Sequence, residues 1–147
     1  MLDKEHILIS LNHRHAENIL AGRKQVELRR RTMNIESGTI IWIYVKLPIG
    51  SIIGFARVIN VHTSSPSSLW NRFGAVSGLS KREFFDYFKG VTRGVALELE
   101  DAERLDGSVS LEEIRKISAG FQPPQFFVRL NAKHPIIGAV TTTSVMK

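Results

Sequence analysis

The sequence predicts an α+β fold in which a curled sheet carries short helices, and three observations lead there. Runs of alternating apolar residues recur along the chain; short segments with helical spacing and caps fall between them; and Gly54 and Ala56 sit inside the longest β-branched run, where small residues let a sheet bend. At 147 residues, 43% hydrophobic and 23% charged, the chain fits one domain, residues 1–147, large enough to bury a real core.

The first strand is His6 to Leu11, where Ile7, Ile9 and Leu11 share a face. Asn12 can cap a short helix whose stripe is Ala16, Ile19 and Leu20, and Gly22 supplies the left-handed stop. A second strand, Lys24 to Arg31, follows. With regular alternation it turns Lys24, Val26 and Leu28 to one side and Glu27, Arg29 and Arg31 to the other, so their convergence is left open. Thr39 to Lys46 is apolar on both faces and reads as a central strand ending at a Pro48 to Gly50 turn.

The long run Ser51 to His62 follows, and then a helical insertion at about 66–90. Its helices are Ser67 to Ala75 and Ser80 to Lys89, the second opened by a capping box of Ser80 and Glu83. Phe84, Phe85, Tyr87 and Phe88 crowd that helix, close to Trp70 and Phe73. They are expected to pack inward, with a base-stacking platform or a dimer or partner surface as the alternatives. Arg93 to Glu103 alternates again, and Ser110 with Glu113 caps a short helix ending near Ile117. Pro123 and Pro124 lead into a last strand, Phe126 to Leu130; the tail after Lys133 is weakly patterned.

Composition excludes several chemistries. The absence of cysteine removes disulfides, thiolate catalysis and cysteine zinc sites; the five histidines follow no ligand spacing; and no Gly-x-Ser-x-Gly motif is present. No metal and no cofactor is expected. Without an apolar run of about 18 residues or a signal-like N-terminus, a cytoplasmic protein away from membranes is expected.

Charge points instead to a polyanion. The net charge is +6, but the stretch 98–113 carries −6 and the remainder +12. Five of the nine residues from Arg23 to Arg31 are basic, and Glu27 is the one acid among them. Such a cluster attracts phosphates. The candidate nucleic-acid-binding residues are Lys24, Glu27, Arg29, Arg30, Arg31 and Lys46, with Lys24 and Glu27 also the candidates for any catalytic role. Arginine offers a planar fork to a phosphate or a guanine edge, and lysine a mobile point charge. Glu27 is expected to accept from a base or ribose hydroxyl rather than to stand as a surface carboxylate. His13 and His15, at i and i+2 and without a carboxylate partner legible in sequence, are expected to be exposed.

The order strand, short helix, AGRKQVELRRR, β-rich middle and late PPQFFVRL resembles the ASCH family, whose fold is similar to the PUA RNA-binding domain. The Gly-x-Lys-x-x-Glu-x-Arg spacing is carried by Gly22, Lys24, Glu27 and Arg29, and the late motif by Pro124 and Gln125. The resemblance implies a small, partly closed β-barrel of PUA-like type, with a cleft between the first helix and the barrel for RNA or a nucleotide-like ligand. It also brings three functional expectations. The first is RNA binding, including RNA-linked or transcriptional regulation. The second is a hydrolase in the same cleft, either a ribonuclease or an amidohydrolase on a modified nucleoside. The third is a coregulator domain that meets a protein partner, or a second copy, through the aromatic helices. Lys24 falls on the lysine of the amidohydrolases that resemble this chain, but Glu27 stands where they place threonine. That carboxylate is expected to hold Lys24 protonated, and with no general base legible, binding without catalysis is the favoured expectation.

Overall fold

A computed structural model describes residues 5–143. Within these described residues six strands form one mixed sheet in the order β2-β5-β4-β3-β1-β6. They are β1 (His6–Leu11), β2 (Val26–Arg29), β3 (Ile40–Val45), β4 (Ser51–Ser64), β5 (Gly94–Ser110) and β6 (Phe127–Leu130). β1 and β3 run parallel, from His6 opposite Ile40 to Leu11 opposite Val45, and the other pairs are antiparallel. The interior position of β3 explains its apolar residues on both faces.

The sheet curls into a half-barrel because its longest strands are bent. The β4–β5 ladder shifts register at three places, between Ile52 and Gly54, Phe55 and Arg57, and Val58 and Asn60, and each bulge adds local twist. Gly54 sits at the tightest approach: a Cβ there would lie 2.6 Å from the Glu103 carbonyl oxygen and 2.7 Å from the Leu20 side chain.

Three apolar layers hold the half-barrel. The concave face packs Ile7, Ile9, Ile41, Ile43, Val95 and Leu97 against Ala16 and Ile19 of α1 (His13–Leu20). The convex face packs Leu8, Trp42, Tyr44 and Ile52 beneath α4 (Leu111–Ile117) and α5 (Pro135–Thr143). The third layer lies under the insertion, where α2 (Pro66–Phe73), a 3-10 turn (Gly74–Val76) and α3 (Lys81–Tyr87) cover Val26, Leu28 and Ala96. Phe84 and Phe88 are fully buried there and Phe85 partly so, as the inward-packing expectation has it, whereas Tyr87 is exposed.

Several boundaries differ from the sequence reading. Both capping boxes form, Ser80 with Glu83 and Ser110 with Glu113. Asn12 stands at the N-cap of α1, yet its side chain makes no cap hydrogen bond. β2 is regular over four residues rather than eight, and β5 runs to Ser110 because β4 pairs with it as far as Ser51. α5 arises in the weakly patterned tail, where Ile136, Ile137 and Val140 seal the convex layer. Among the described residues, no helix is long and apolar enough to cross a membrane.

Candidate nucleic-acid interface

The short extent of β2 decides where its charges go. Within Val26–Arg29 alternation holds, so Val26 and Leu28 enter the layer under the insertion while Glu27 and Arg29 turn to the opposite, concave side. Opposite them across the ladder stand Leu97 and Val95, both part of the concave core. Lys24 lies before the regular strand, in a segment bent by hydrogen bonds of its own. The Arg23 and Lys24 amides donate to the Asn18 carbonyl, and the Gln25 amide donates to that of Val76. Gly22, at φ +82°, turns the chain from α1 into this segment.

This irregular entry brings Lys24, Glu27 and Arg29 onto one cavity of about 310 Å³, with Lys46 and Gln125 also in its wall. Arg30 and Arg31 are outside the lining and exposed. Arg30 donates to the Tyr87 and Lys89 carbonyls, at 2.6 and 3.0 Å, and so ties β2 to α3. Gly22 lines a neighbouring cavity, which Lys24 also touches. The Pro124 carbonyl accepts from Ser10 Oγ at 2.6 Å, fixing the approach of Gln125 and Phe126 to the end of β1.

Two of the cavity's charges are deeply buried. Lys24 is 4% exposed and Glu27 6% exposed. Lys24 Nζ donates to the Ser77 carbonyl at 2.5 Å, and its stem passes over Gly78, where a Cβ would sit 3.3 Å from it. Burial lowers the Lys24 pKa below the usual lysine value; nearby Glu27 opposes this, and Arg14 and Arg29 add to the lowering. Glu27 thus opposes the effect of burial without cancelling it, and Lys24 Nζ is anchored by the Ser77 carbonyl.

Glu27 pairs with Arg29, whose Nη2 lies 2.9 Å from Oε2. The approach is off the N–H axis, so Nη2 and Nε both remain buried without a hydrogen-bond partner. Buried donors of this kind are costly to leave unmade, and an anionic oxygen in the cavity would satisfy the guanidinium's preference for such acceptors. Three cations and one acid give the lining a positive balance.

His15 is the residue that sequence reasoning misplaced. His13 is exposed and pairs with Glu17, but His15 is half-buried, lines the cavity and keeps a buried Nδ1 without a partner. Burial lowers its pKa below 6.5, and the positive charge of Lys24 adds to this, so its imidazole is neutral at pH 7. The helical register places i and i+2 on different sides, which is why one histidine is outside and the other inside; the sequence alone did not say which. Tyr87 and Phe126 complete the rim as exposed rings, 36% and 61% accessible. Tyr87 Oη donates to the Leu28 carbonyl at 2.9 Å, which holds its ring against β2.

His15 has a consequence for stability. Its folded pKa is depressed, so below 6.5 the unfolded chain binds a proton the folded chain resists; stability is full above 6.5 and falls with pH toward the folded value. His15→Asn is expected to flatten the slope of melting temperature against pH just below 6.5. An unchanged slope would mean that His15 titrates alike in both states.

Among the described residues no group of three or more His, Cys, Asp or Glu could hold a metal ion. A family model described as a domain of unknown function, DUF365, matches residues 6–122. A protein of Zymomonas mobilis named ASCH domain-containing ribonuclease is 36% identical over 123 residues, covering 84% of this chain and 82% of its own length. The crystal structure of ASCH from Zymomonas mobilis superposes with a TM-score of 0.87 at 32% identity, covering 95% of this chain and 98% of that one. The N-terminal domain of Staphylothermus marinus McrB shares the fold alone, at a TM-score of 0.59 and 15% identity over 95% of each chain. The chain belongs to the ASCH domain family and to DUF365.

Proposed function

We propose that this ASCH-family chain binds single-stranded RNA in the cavity between α1, β2 and the Gln125–Phe126 segment, and cleaves it there. The observation that carries the proposal is the meeting of buried Lys24, the Arg29 guanidinium and neutral His15 on one wall. A cationic groove with exposed aromatic rings at its rim suits a single strand, whose bases are free to stack, better than a duplex. The ribonuclease name of the Zymomonas mobilis relative points the same way.

The chemistry assigns each group one task. His15 takes the proton from a ribose 2′-hydroxyl as that oxygen attacks the adjacent phosphorus. Arg29, oriented by Glu27, meets the charge that builds on the phosphoryl oxygens. Lys24, whose lowered pKa makes its ammonium a readier acid, returns a proton to the 5′-oxygen as its bond to phosphorus breaks. The products are a 2′,3′-cyclic phosphate and a 5′-hydroxyl, with no atom unaccounted for. Binding without catalysis was favoured from sequence because no base was legible; His15 supplies that base. The coregulator reading loses support, since Phe84 and Phe88 are committed to the core.

The test is incubation of the purified protein with a single-stranded RNA, the same RNA annealed to its complement, and DNA of the same sequence. Cleavage of the single strand, with the duplex and the DNA spared, is expected. Intact single-stranded RNA would overturn the catalytic half of the proposal.

A further inference from the structure

A second cavity of about 450 Å³ adjoins the first, and the two share the side chains of Gln125 and Phe126. The linings differ in kind. The first carries Lys24, Arg29, Lys46 and Glu27; the second is built on Phe121, Pro124, Phe127 and Val128, with the carboxamides of Gln122 and Gln125. Its one arginine, Arg129, is occupied, donating to the Glu5 carboxylate and to the Asn34 carbonyl. Gln122 accepts from Arg115 through Oε1, which leaves its amide N–H groups to donate.

Phe126 stands between these cavities at 61% exposure, by far the most exposed aromatic ring at either. Fixed backbone holds it there: the Ser10 amide donates to the Phe126 carbonyl at 3.3 Å, and Ser10 Oγ holds Pro124 two residues earlier. An apolar ring kept in solvent beside a cationic cavity, with a carboxamide-lined hollow on its far side, offers a stacking face to a planar apolar partner.

We infer that Phe126 is a stacking platform for a nucleobase, and that the second cavity is a base subsite for the nucleotide next to the one whose phosphate sits at Lys24 and Arg29. The inference rests on the RNA reading above and deepens it. The division of labour follows from charge: the first cavity takes the phosphate, and the second, without a free cation, takes the uncharged base. Stacking accepts any base, while the carboxamides of Gln122 and Gln125 can donate to and accept from a base edge. The strand therefore passes over Phe126 from one cavity to the other.

The probes are adenosine monophosphate and a five-nucleotide single-stranded RNA with 2′-O-methyl groups, which blocks the attacking hydroxyl. Phe126→Ala is expected to weaken the oligonucleotide about 5- to 150-fold, the range of one lost base stack, and to weaken the mononucleotide, whose phosphate the cations hold, by a smaller factor. Phe126→Trp is expected to retain oligonucleotide affinity and to add an indole emission, over that of the wild type, that the oligonucleotide quenches. Because the side chain is exposed, the alanine variant folds, and its melting temperature verifies this. Equal affinity of wild type and Phe126→Ala for the oligonucleotide would overturn the subsite while leaving the cationic cavity standing. Equal loss for both probes would also overturn it, by making the ring serve the first cavity's nucleotide alone. A self-association that disappears in Phe126→Ala, with RNA affinity intact, would make the surface a contact between copies. Failure of the wild type to bind either probe would remove the RNA reading itself, and the subsite with it.

Discussion

His15→Ala is expected to slow cleavage of single-stranded RNA by about 10²- to 10⁴-fold, the usual contribution of a positioned general base, with affinity changed far less. Two features of the site support an effect of that size. The imidazole is neutral at neutral pH because burial and the Lys24 charge disfavour its protonated form, so it can accept a proton. It also lines the same cavity as both cations that would meet the phosphate. Loss of RNA affinity in parallel with rate would make His15 a binding residue. Unchanged cleavage would remove it from the mechanism altogether. Because the buried Nδ1 has no partner, the substitution sacrifices no hydrogen bond at that atom, and folding is expected to survive.

The second large effect is on stability. Phe84 is fully buried among Trp70, Phe85 and Phe88, with ring centroids at 5.1, 5.4 and 5.1 Å. Phe84→Ala removes the shared member of that cluster and leaves a cavity beneath the insertion, at an expected cost of about 3–5 kcal/mol. Denaturant unfolding measures this directly. A loss below about 1 kcal/mol would mean that the layer under the insertion collapses to fill the gap. The functional consequence is indirect: Ser77 and Tyr87, which the insertion supplies, bond Lys24 and the Leu28 carbonyl. The variant's RNA affinity per folded molecule is therefore expected to fall only as those two anchors loosen.

What the sequence made legible, and what it left unread, divides along local and long-range lines. The capping boxes at Ser80 and Ser110 are local chemistry, four residues each, and both form. The two-sided apolar run of β3 is a local pattern with one structural meaning, and the strand is interior. The curl was readable at Gly54 because a small residue inside a β-branched run marks a bend by local pattern, although the groups that crowd it, the Glu103 carbonyl and the Leu20 side chain, are distant in sequence. α5 was not readable: PIIGAVTTT lacks the polar face that makes a helical period visible, and its helicity depends on the convex layer it closes.

The cavity was partly readable. Lys24, Glu27 and Arg29 stand out by charge, but regular alternation separates Lys24 from the other two. What reunites them is the irregular segment before Val26, held by bonds to Asn18 and Val76 from two other elements. His15 and Phe126 were out of reach for a similar reason. Their meaning comes from which walls face each other once the half-barrel has curled; His15 carries no local motif, and the late motif around Phe126 does not say what its ring faces.

If the charges of Lys24 and Arg29 meet RNA phosphates, the salt dependence of binding reports both contacts. Affinity for a 2′-O-methyl single-stranded RNA is measured across a salt series for the wild type and for the Lys24→Met, Arg29→Met double variant, which keeps apolar stems in place. Each lost phosphate contact lowers the slope of log affinity against log salt by about 0.7 on a single strand, so a fall of about 1.4 is predicted. Superimposable slopes for the two folded proteins would mean that neither charge meets a phosphate.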